Sequence, residues 1–293
     1  MLLLTGASGL VGTAVRRRLL AAGVPMRCLV RDPRRLGDDR VRVQIALGDL
    51  ADPPSFRNAL RGVDTVVHLA ATIRDQPQGS IEELNGIATW RLVDAARRAG
   101  AERFVFFSAL GASTQSRARL LRAKALAEEA VRESDLDAIV FAPSIIFAPE
   151  DRYVSLLARM SLLPGLMPFS GRGRAQFQPV WVADVADAVM SVLARQHGDG
   201  GRYELVGPDV LTHEQIVRLV IAALGRQRRL LHIPTPVVAS VLRALERVMG
   251  SNAFATWDEA ELMEVPMLPS AGMNDIEGLG VNPRSMASVF GLS

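Results

Sequence analysis

The residues most capable of chemistry stand at the start of the chain, where three glycines interrupt the passage from an apolar run into a helical pattern. Directly after the run Leu2–Leu4 comes the segment Thr5-Gly6-Ala7-Ser8-Gly9-Leu10-Val11-Gly12. One glycine permits a tight strand-to-helix turn, the next lets the backbone approach a pyrophosphate, and the third lets the helix pack on the strand. The helix N-terminus would present free N–H groups to the phosphates. The segment predicts a dinucleotide-binding turn, with a plain strand-to-helix connection as the alternative.

A second candidate is Lys124, the only lysine in a chain that otherwise uses arginine. It lies in a helical pattern predicted over Ser116–Glu133. A compact ammonium with three donors is a candidate for binding a ligand. The alternative is a solvated lysine on a helix surface.

Short apolar strands alternate with helices through the first half of the chain. The predicted strands are Leu2–Leu4, Met26–Val30, Val41–Ile45, Thr65–Leu69, Arg103–Phe107 and Ala138–Phe141. This alternation predicts an α/β fold, a Rossmann-type doubly wound parallel sheet with ligands at the carboxyl ends of its strands. After Pro143 the pattern loosens, which indicates a Rossmann domain over residues 1–142 and a smaller, mostly helical lobe over 143–293. Arg202–Val206 is predicted as a strand that returns to a sheet.

Two strand ends carry residues suited to the cofactor. Arg31 closes the second strand, where an arginine suits the 2′-phosphate of NADP, while a solvated loop arginine is the alternative. Arg34 and Arg35 follow and could help. Leu69, Ala70 and Ala71 end the fourth strand, where small residues let the cofactor pass closely, and His68 before them is interpreted as a packed histidine.

The G-x-x-G-x-x-G spacing, preceded by Thr5, resembles the short-chain dehydrogenase/reductase superfamily. Asn85, in Asn85-Gly86-Ile87-Ala88-Thr89, matches the helix asparagine of its extended branch, and residues 178–186 resemble that branch's strand-then-helix segment, where Asp184 is expected to cap the helix. The resemblance runs from Leu2 to about Ala188. The layout is most similar to the atypical extended, epimerase/dehydratase-like group that contains the NAD(P)H-binding accessory subunit of respiratory complex I and its bacterial relatives.

The resemblance implies a nicotinamide cofactor, with NADP(H) preferred because of Arg31 and NAD(H) possible. It implies that Asp49 contacts the adenine, that Lys124 hydrogen-bonds the nicotinamide ribose, and that Asn85 and Ser108 order water around the nicotinamide. It also places further residues along the cofactor: Leu50, Leu69, Ala70, Ala71, Phe107, Pro143 and Ile146.

The proton-transfer half of the superfamily signature departs from the pattern. One turn before Lys124, where the superfamily has its catalytic tyrosine, stands Leu120, which can neither donate nor accept a proton. Ser108 aligns with the residue before the catalytic serine, which leaves Ala109 in that position, and Ser113 is a further candidate. Tyr153, in a region that lines substrate pockets in extended relatives, is a candidate donor, as are water and Lys124.

Three functions are consistent with these residues. The first is an NADPH-dependent oxidoreductase acting on an unknown carbonyl or quinone small molecule. The second is a non-catalytic, NADPH-bound accessory subunit, and the third is a redox-sensing binding protein. The segment Pro234–Met249 could form a surface for a protein partner or a second copy, or it could be the core of its own lobe.

Composition narrows the possible classes of protein further. The net charge is only +3 despite a pI near 9.7, and the arginines, Arg16 among them, are interpreted as solvated helix faces rather than a nucleic-acid surface. No apolar run approaches the ~20 residues of a membrane span. The N-terminus lacks the pattern of a signal peptide. The single Cys28 excludes an internal disulfide. We therefore expect a cytoplasmic protein without a nucleic-acid partner, and no metal site is predicted.

Overall fold

A computed structural model describes residues 1–162, 165–195, 198, 200–250 and 253–292. Within these ranges the strands are β1 (Leu2–Thr5), β2 (Met26–Val30), β3 (Gln44–Leu47), β4 (Thr65–His68), β5 (Arg103–Phe107), β6 (Asp137–Pro143), β7 (Ile146–Phe147), β8 (Leu166–Ser170), β9 (Gln176–Phe177), β10 (Val180–Trp181), β11 (Gly201–Leu205), β12 (Leu211–Thr212) and β13 (Arg229–Ile233). The α-helices are α1 (Leu10–Ala21), α2 (Pro53–Phe56), α3 (Ala88–Arg98), α4 (Arg119–Arg132), α5 (Arg152–Met160), α6 (Val182–Leu193), α7 (His213–Ala223), α8 (Thr235–Met249), α9 (Trp257–Leu262), α10 (Asn274–Gly278) and α11 (Met286–Val289).

Seven strands form one parallel sheet in the order β3-β2-β1-β4-β5-β6-β11. The strand order therefore reverses between β1 and β4, which is the topological switch point where open α/β sheets bind ligands. The predicted doubly wound Rossmann sheet is confirmed, and the strand predicted over Arg202–Val206 joins it beside β6.

Helices cover both faces of this sheet, as the nearly continuous apolar character of its strands requires. On one face, Val15 and Leu19 of α1 and Val185 and Val189 of α6 pack into a shared core. On the other face, α3 and α4 pack with Phe56 and Phe104. The two layers of helices fix the strands, so that their carboxyl ends form a rigid edge.

The remainder of the chain builds a smaller lobe around a separate core. Helices α5 and α7 enclose buried side chains from three strand pairs, β7–β10, β8–β13 and β9–β12. The sequence pattern predicted a mostly helical lobe but missed these pairs, because strands of two to five residues have too few positions to show an alternating pattern. The boundary between residues 142 and 143 remains a prediction.

Three local predictions require correction. The third strand was expected over Val41–Ile45 but covers Gln44–Leu47, since Val41 closes a 3₁₀ segment over Pro33–Val41 and is exposed. The helix expected from Ser116 begins at Arg119. Asp184 does not cap α6, because it lies in the first turn of that helix and accepts a hydrogen bond from the backbone N–H of Arg284 at 2.8 Å.

Candidate functional site

The glycine turn joins β1 to α1 with almost no space between backbone segments. Gly6 has φ +69°, and a Cβ there would lie 2.6 Å from the amide nitrogen of Ala70. A Cβ on Gly12 would lie 2.1 Å from the carbonyl oxygen of Gly6. Only glycine fits at these two positions, because real Cβ contacts do not approach so closely and because L side chains rarely adopt that φ.

The N-terminus of α1 is open to an anion. Its N-cap residue is Gly9, which has no side chain to occupy the first N–H groups, and the first turn of this fully described helix contains no acid. Four backbone N–H groups at a helix start lack a partner within the helix. They would therefore donate to a pyrophosphate lying across the turn.

A buried arginine binds the backbone of the glycine turn, a role that the sequence analysis did not predict. Arg16 is only 3% exposed. Its guanidinium donates to the carbonyl oxygens of Ala7 and Leu36 and to the carboxylate of Asp39 at 2.9 Å. The interpretation of Arg16 as a solvated helix arginine was wrong, because it is enclosed between the glycine turn and a segment about twenty residues further along the chain, which supplies Leu36 and Asp39.

Arg31 and Asp49, which the sequence analysis expects at the adenine end of the cofactor, lie close together. Arg31 lies just beyond β2, exposed, with its Nη1 3.8 Å from Oδ2 of Asp49. Asp49 also accepts a hydrogen bond from the backbone N–H of Ala51 at 3.0 Å, so it both forms a turn and faces Arg31. Arg34 is engaged with Asp32 at 3.0 Å, and its guanidinium holds the pKa of that carboxyl below its usual range.

A chain of buried hydrogen bonds crosses the switch point from the glycine turn to the helix region before α3. The Thr5 hydroxyl lies 2.7 Å from Nδ1 of His68, and Nε2 of His68 lies 2.9 Å from the Thr89 hydroxyl. Thr89 donates to the backbone carbonyl of Asn85 at 2.7 Å. The Thr89 oxygen must then accept from Nε2–H, which leaves Nδ1 of His68 to accept the Thr5 proton.

His68 in this chain is neutral. Its burial and the nearby Lys124 ammonium lower its pKa to about 3. The structure agrees with its interpretation as a packed histidine and adds that it joins β1 to the segment leading into α3.

Asn85 lies in the same region, and both polar atoms of its side chain have hydrogen-bond partners there. It lies in a single π-helical turn, Glu83–Ile87, and its amide donates to the carbonyl oxygens of Thr72 and Ile81 at 2.9 and 2.8 Å. Its Oδ1 accepts from the N–H of Thr72 at 3.0 Å. Asn85 therefore shapes the backbone that follows β4. Its predicted role in ordering water remains a prediction.

Lys124 points from α4 to the carboxyl end of β5. Its Nζ donates to the carbonyl oxygen of Phe107 at 2.5 Å and lies 4.8 Å from the centre of the Phe106 ring. Because the ammonium is buried, its pKa falls from 10.5 to about 7. Lys124 is thus not a solvated helix lysine.

Ser108, directly after β5, has a side-chain hydroxyl without a hydrogen-bond partner among the described residues. Its backbone N–H donates to Phe141 at 2.7 Å, whereas its Oγ is buried and has no hydrogen-bond partner among the described residues. Leu120, one turn before Lys124, is partly buried and Ser113 is exposed.

Tyr153 is partly buried and packs against the core of the smaller lobe. Its hydroxyl is 2.6 Å from Nε2 of His213, and the His213 ring packs 4.8 Å from that of Phe169. Burial raises the pKa of Tyr153 above its usual range and lowers that of His213 to about 4. The sequence did not indicate this pair, whose members are 60 positions apart.

These observations fit a nicotinamide dinucleotide. The glycine turn leaves a cradle that a Cβ would fill, and the orphaned Ser108 hydroxyl lies in sequence directly after the carbonyl that Lys124 contacts. A buried polar atom without a partner is rare in folded proteins, and a ligand is one way of satisfying it. Among the described residues no group of three or more histidine, cysteine or acidic side chains could hold a metal ion.

The fold and this site define a Rossmann-type protein that binds a nicotinamide dinucleotide. The chain belongs to the NAD(P)H-binding family, whose model matches residues 6–196. This membership and the architecture confirm the family resemblance and the fold expected from the sequence.

Individual relatives extend the comparison. The chain is 31% identical over 80% of its length to NADH dehydrogenase (ubiquinone) 1 alpha subcomplex subunit 9, mitochondrial, of Arabidopsis thaliana, of which it spans 61%. It is 30% identical to the ceramide reductase of Caulobacter vibrioides, over 80% of this chain and 73% of that protein. Among solved structures, the NADPH-dependent quinone oxidoreductase QOR2 from Escherichia coli, complexed with NADPH, is similar in fold with a TM-score of 0.74 and 18% identity, over 99% of both chains.

Proposed function

We propose that this protein is an NADP(H)-dependent oxidoreductase that passes hydride to an apolar carbonyl or quinone acceptor without the usual catalytic tyrosine. The observation that carries the proposal is the buried Lys124 ammonium, which donates to the carbonyl oxygen of Phe107, together with the unpartnered hydroxyl of Ser108, the next residue at the carboxyl end of β5. Two buried polar groups with spare hydrogen-bonding capacity at the carboxyl edge of the sheet are typical of a site that positions a reacting ligand.

The chain's own residues would divide the work as follows. The N–H groups at the start of α1 bind the pyrophosphate, Arg31 binds a 2′-phosphate, and Lys124 and Ser108 bind the nicotinamide half. The bound cofactor supplies a hydride, which carries two electrons to the acceptor. The acceptor oxygen then needs one proton to become a hydroxyl.

Lys124 is the donor that the arrangement favours for that proton. Its pKa of about 7 lies near neutrality, where a general acid is most effective. Tyr153 is less suited, because its hydroxyl is engaged with His213 in the other core and its pKa is raised. A quinone acceptor depends less on a proton donor from the protein, since its reduced form can also be protonated by solvent.

The names of the relatives support the class of acceptor. Ceramide and ubiquinone, which appear in two of those names, are both lipid-soluble molecules with long apolar chains. We extend to this chain only their shared chemistry, an apolar molecule that carries a reducible group.

The test begins with titration of the purified protein by NADPH and NADH, recording affinity and dissociation rate. Micromolar, rapidly exchanging NADPH with much weaker NADH, together with oxidation of NADPH by added quinones or ketones, would support the proposal. Arg31→Ser should lose about tenfold in NADPH affinity and little in NADH affinity, because a charge-assisted hydrogen bond is removed. Failure to bind either nucleotide would overturn the proposal.

A second candidate is a non-catalytic accessory subunit that retains NADPH to stabilise its fold. The observation in its favour is the 31% identity with the Arabidopsis subunit, together with Leu120 in the place of the tyrosine. This function predicts NADPH that survives purification and dissociates very slowly, with no oxidation by any acceptor tested. A ligand that binds only the native state stabilises it by mass action.

A further inference from the structure

Helix α8 presents an apolar stripe that its own lobe leaves uncovered. Its buried face consists of Ala239 and Leu242, and it packs against α9. On the opposite side lie Val237, Val241, Ala244 and Val248, all exposed, at intervals of four, three and four residues. That spacing places them in one row along the helix. The expectation that this segment is simply lobe core holds for one face only.

The exposed charged side chains of α8 itself have a single sign. The exposed charged side chains of α8 are Arg243 and Arg247. The only acid of the helix, Glu246, is half-buried and accepts a hydrogen bond from the backbone N–H of Trp257. A row of apolar residues bordered by arginine and free of exposed carboxylate is complementary to an anionic apolar boundary.

The end of the helix adds larger apolar groups. Met249 closes α8 in an exposed position, and Phe254, just beyond, is also exposed. Trp257 follows, partly buried under the guanidinium of Arg243 at 5.2 Å. Aromatic and arginine side chains with apolar bodies and polar ends are typical of the interface between water and lipid.

We propose that the exposed face of α8 docks the protein on the surface of an anionic phospholipid bilayer. The stripe of Val237, Val241, Ala244 and Val248 would enter the boundary between headgroups and acyl chains, while Arg247 reaches lipid phosphates and Arg243 stays over the ring of Trp257. A second copy is the poorer occupant, because two such faces would bring arginines together without a carboxylate between them. The inference does not depend on the proposed function, since neither the glycine turn nor Lys124 takes part in it.

The experiment is co-flotation of the full chain with vesicles of phosphatidylcholine alone and of phosphatidylcholine mixed with phosphatidylglycerol. We expect binding to the anionic vesicles only, weakening as salt is added, because exposed charges are screened. Val241→Asp should reduce binding about tenfold, since it removes an apolar anchor and adds repulsion. Arg247→Gln should reduce it about fivefold.

Leu126→Asp is the matched control. Leu126 is 52% exposed on α4 and Val241 is 60% exposed on α8, so both changes place an aspartate on an exposed helix surface. Leu126→Asp should leave vesicle binding unchanged, with thermal unfolding of both variants close to that of the parent.

Three results would overturn the inference. They are absence of binding to anionic vesicles, equal binding to both kinds of vesicle, and equal effects of Val241→Asp and Leu126→Asp. Self-association in sedimentation that Val241→Asp abolishes, without vesicle binding, would assign the face to a second copy instead.

Discussion

Lys124 shows, at the scale of a single residue, a conflict between stability and ligand binding. An ammonium buried without a carboxylate partner costs free energy in the empty protein, which is why burial lowers its pKa. The sequence drew attention to this residue because it is the only lysine, and the structure shows its ammonium donating to the carbonyl oxygen of Phe107 at the end of β5. The sequence alone shows that Lys124 is the only lysine, whereas its burial is known only from the structure.

Replacing Lys124 by methionine should therefore stabilise the empty protein and weaken NADPH binding. Between pH 7 and 10.5 the unfolded lysine binds more proton than the folded one, so the destabilising contribution is complete below pH 7 and fades as the pH rises through this window. Thermal unfolding of parent and variant at several pH values, with and without NADPH, measures both effects. A variant that loses stability and keeps its NADPH affinity would refute the assignment.

At the scale of elements, the strand–turn–helix unit at the N-terminus is determined by local sequence. Its glycines appear where the backbone must approach Ala70 and Gly6, and the helix begins at Leu10 without a side-chain cap. The turn could be predicted because glycine spacing and apolar periodicity are short-range signals. The buried chain from Thr5 to His68 and Thr89 could not, because parallel pairing aligns β1 with β4 only in the folded sheet.

Gly12→Ala should abolish nucleotide binding and destabilise the protein by about 1–3 kcal/mol, as overpacking does. Its Cβ would lie 2.1 Å from the Gly6 carbonyl oxygen, so the turn must open. Gly86→Ala provides the control, because there a Cβ would meet its nearest atom, the Ala123 carbonyl oxygen, at an ordinary 3.6 Å. Chemical denaturation and NADPH titration should separate the two variants, and equal behaviour would contradict this role for Gly12.

At the scale of the whole molecule, two arginines fasten the C-terminal segment to the region after β4. Arg74 donates to the carbonyl oxygen of Ala253 at 2.8 Å and pairs with Glu259 at 2.5 Å. Arg119 on α4 binds Glu82 at 2.6 Å and lies 3.3 Å from Asp258. The links from Arg74 to Ala253 and Glu259 and from Arg119 to Asp258 join residues more than one hundred positions apart, so α9 and the α8 that packs on it are held against the dinucleotide-binding half.

Arg74→Ala should destabilise the protein by about 3 kcal/mol, because Glu259 and a buried carbonyl oxygen lose their partner. Arg34→Ala removes an arginine whose side chain is 84% exposed, against 8% for Arg74, and should leave the stability nearly unchanged. Thermal unfolding measures both, and hydrogen exchange should show earlier opening of α9 in Arg74→Ala alone. Equal losses of thermal stability in the two variants would show that the contacts of Arg74 with Ala253 and Glu259 do not stabilise the protein.

None of the helices in the described ranges combines the length and the apolar character that a membrane crossing requires. The docking proposed for α8 therefore depends on one exposed face of that helix and its arginines. That face became visible only with the tertiary structure, because both sides of α8 are apolar in the sequence.

The sequence by itself determined the glycine turn, the alternation of strands and helices, the missing tyrosine at Leu120 and the single lysine. Each of these depends on residue type and short-range spacing, which are present before folding. Only the tertiary structure decided that Arg16 is buried, that His68 bridges Thr5 and Thr89, that Tyr153 pairs with His213, and that α8 keeps an apolar face in solvent. These features depend on which distant segments meet, because burial and hydrogen-bond partners are properties of the packed chain.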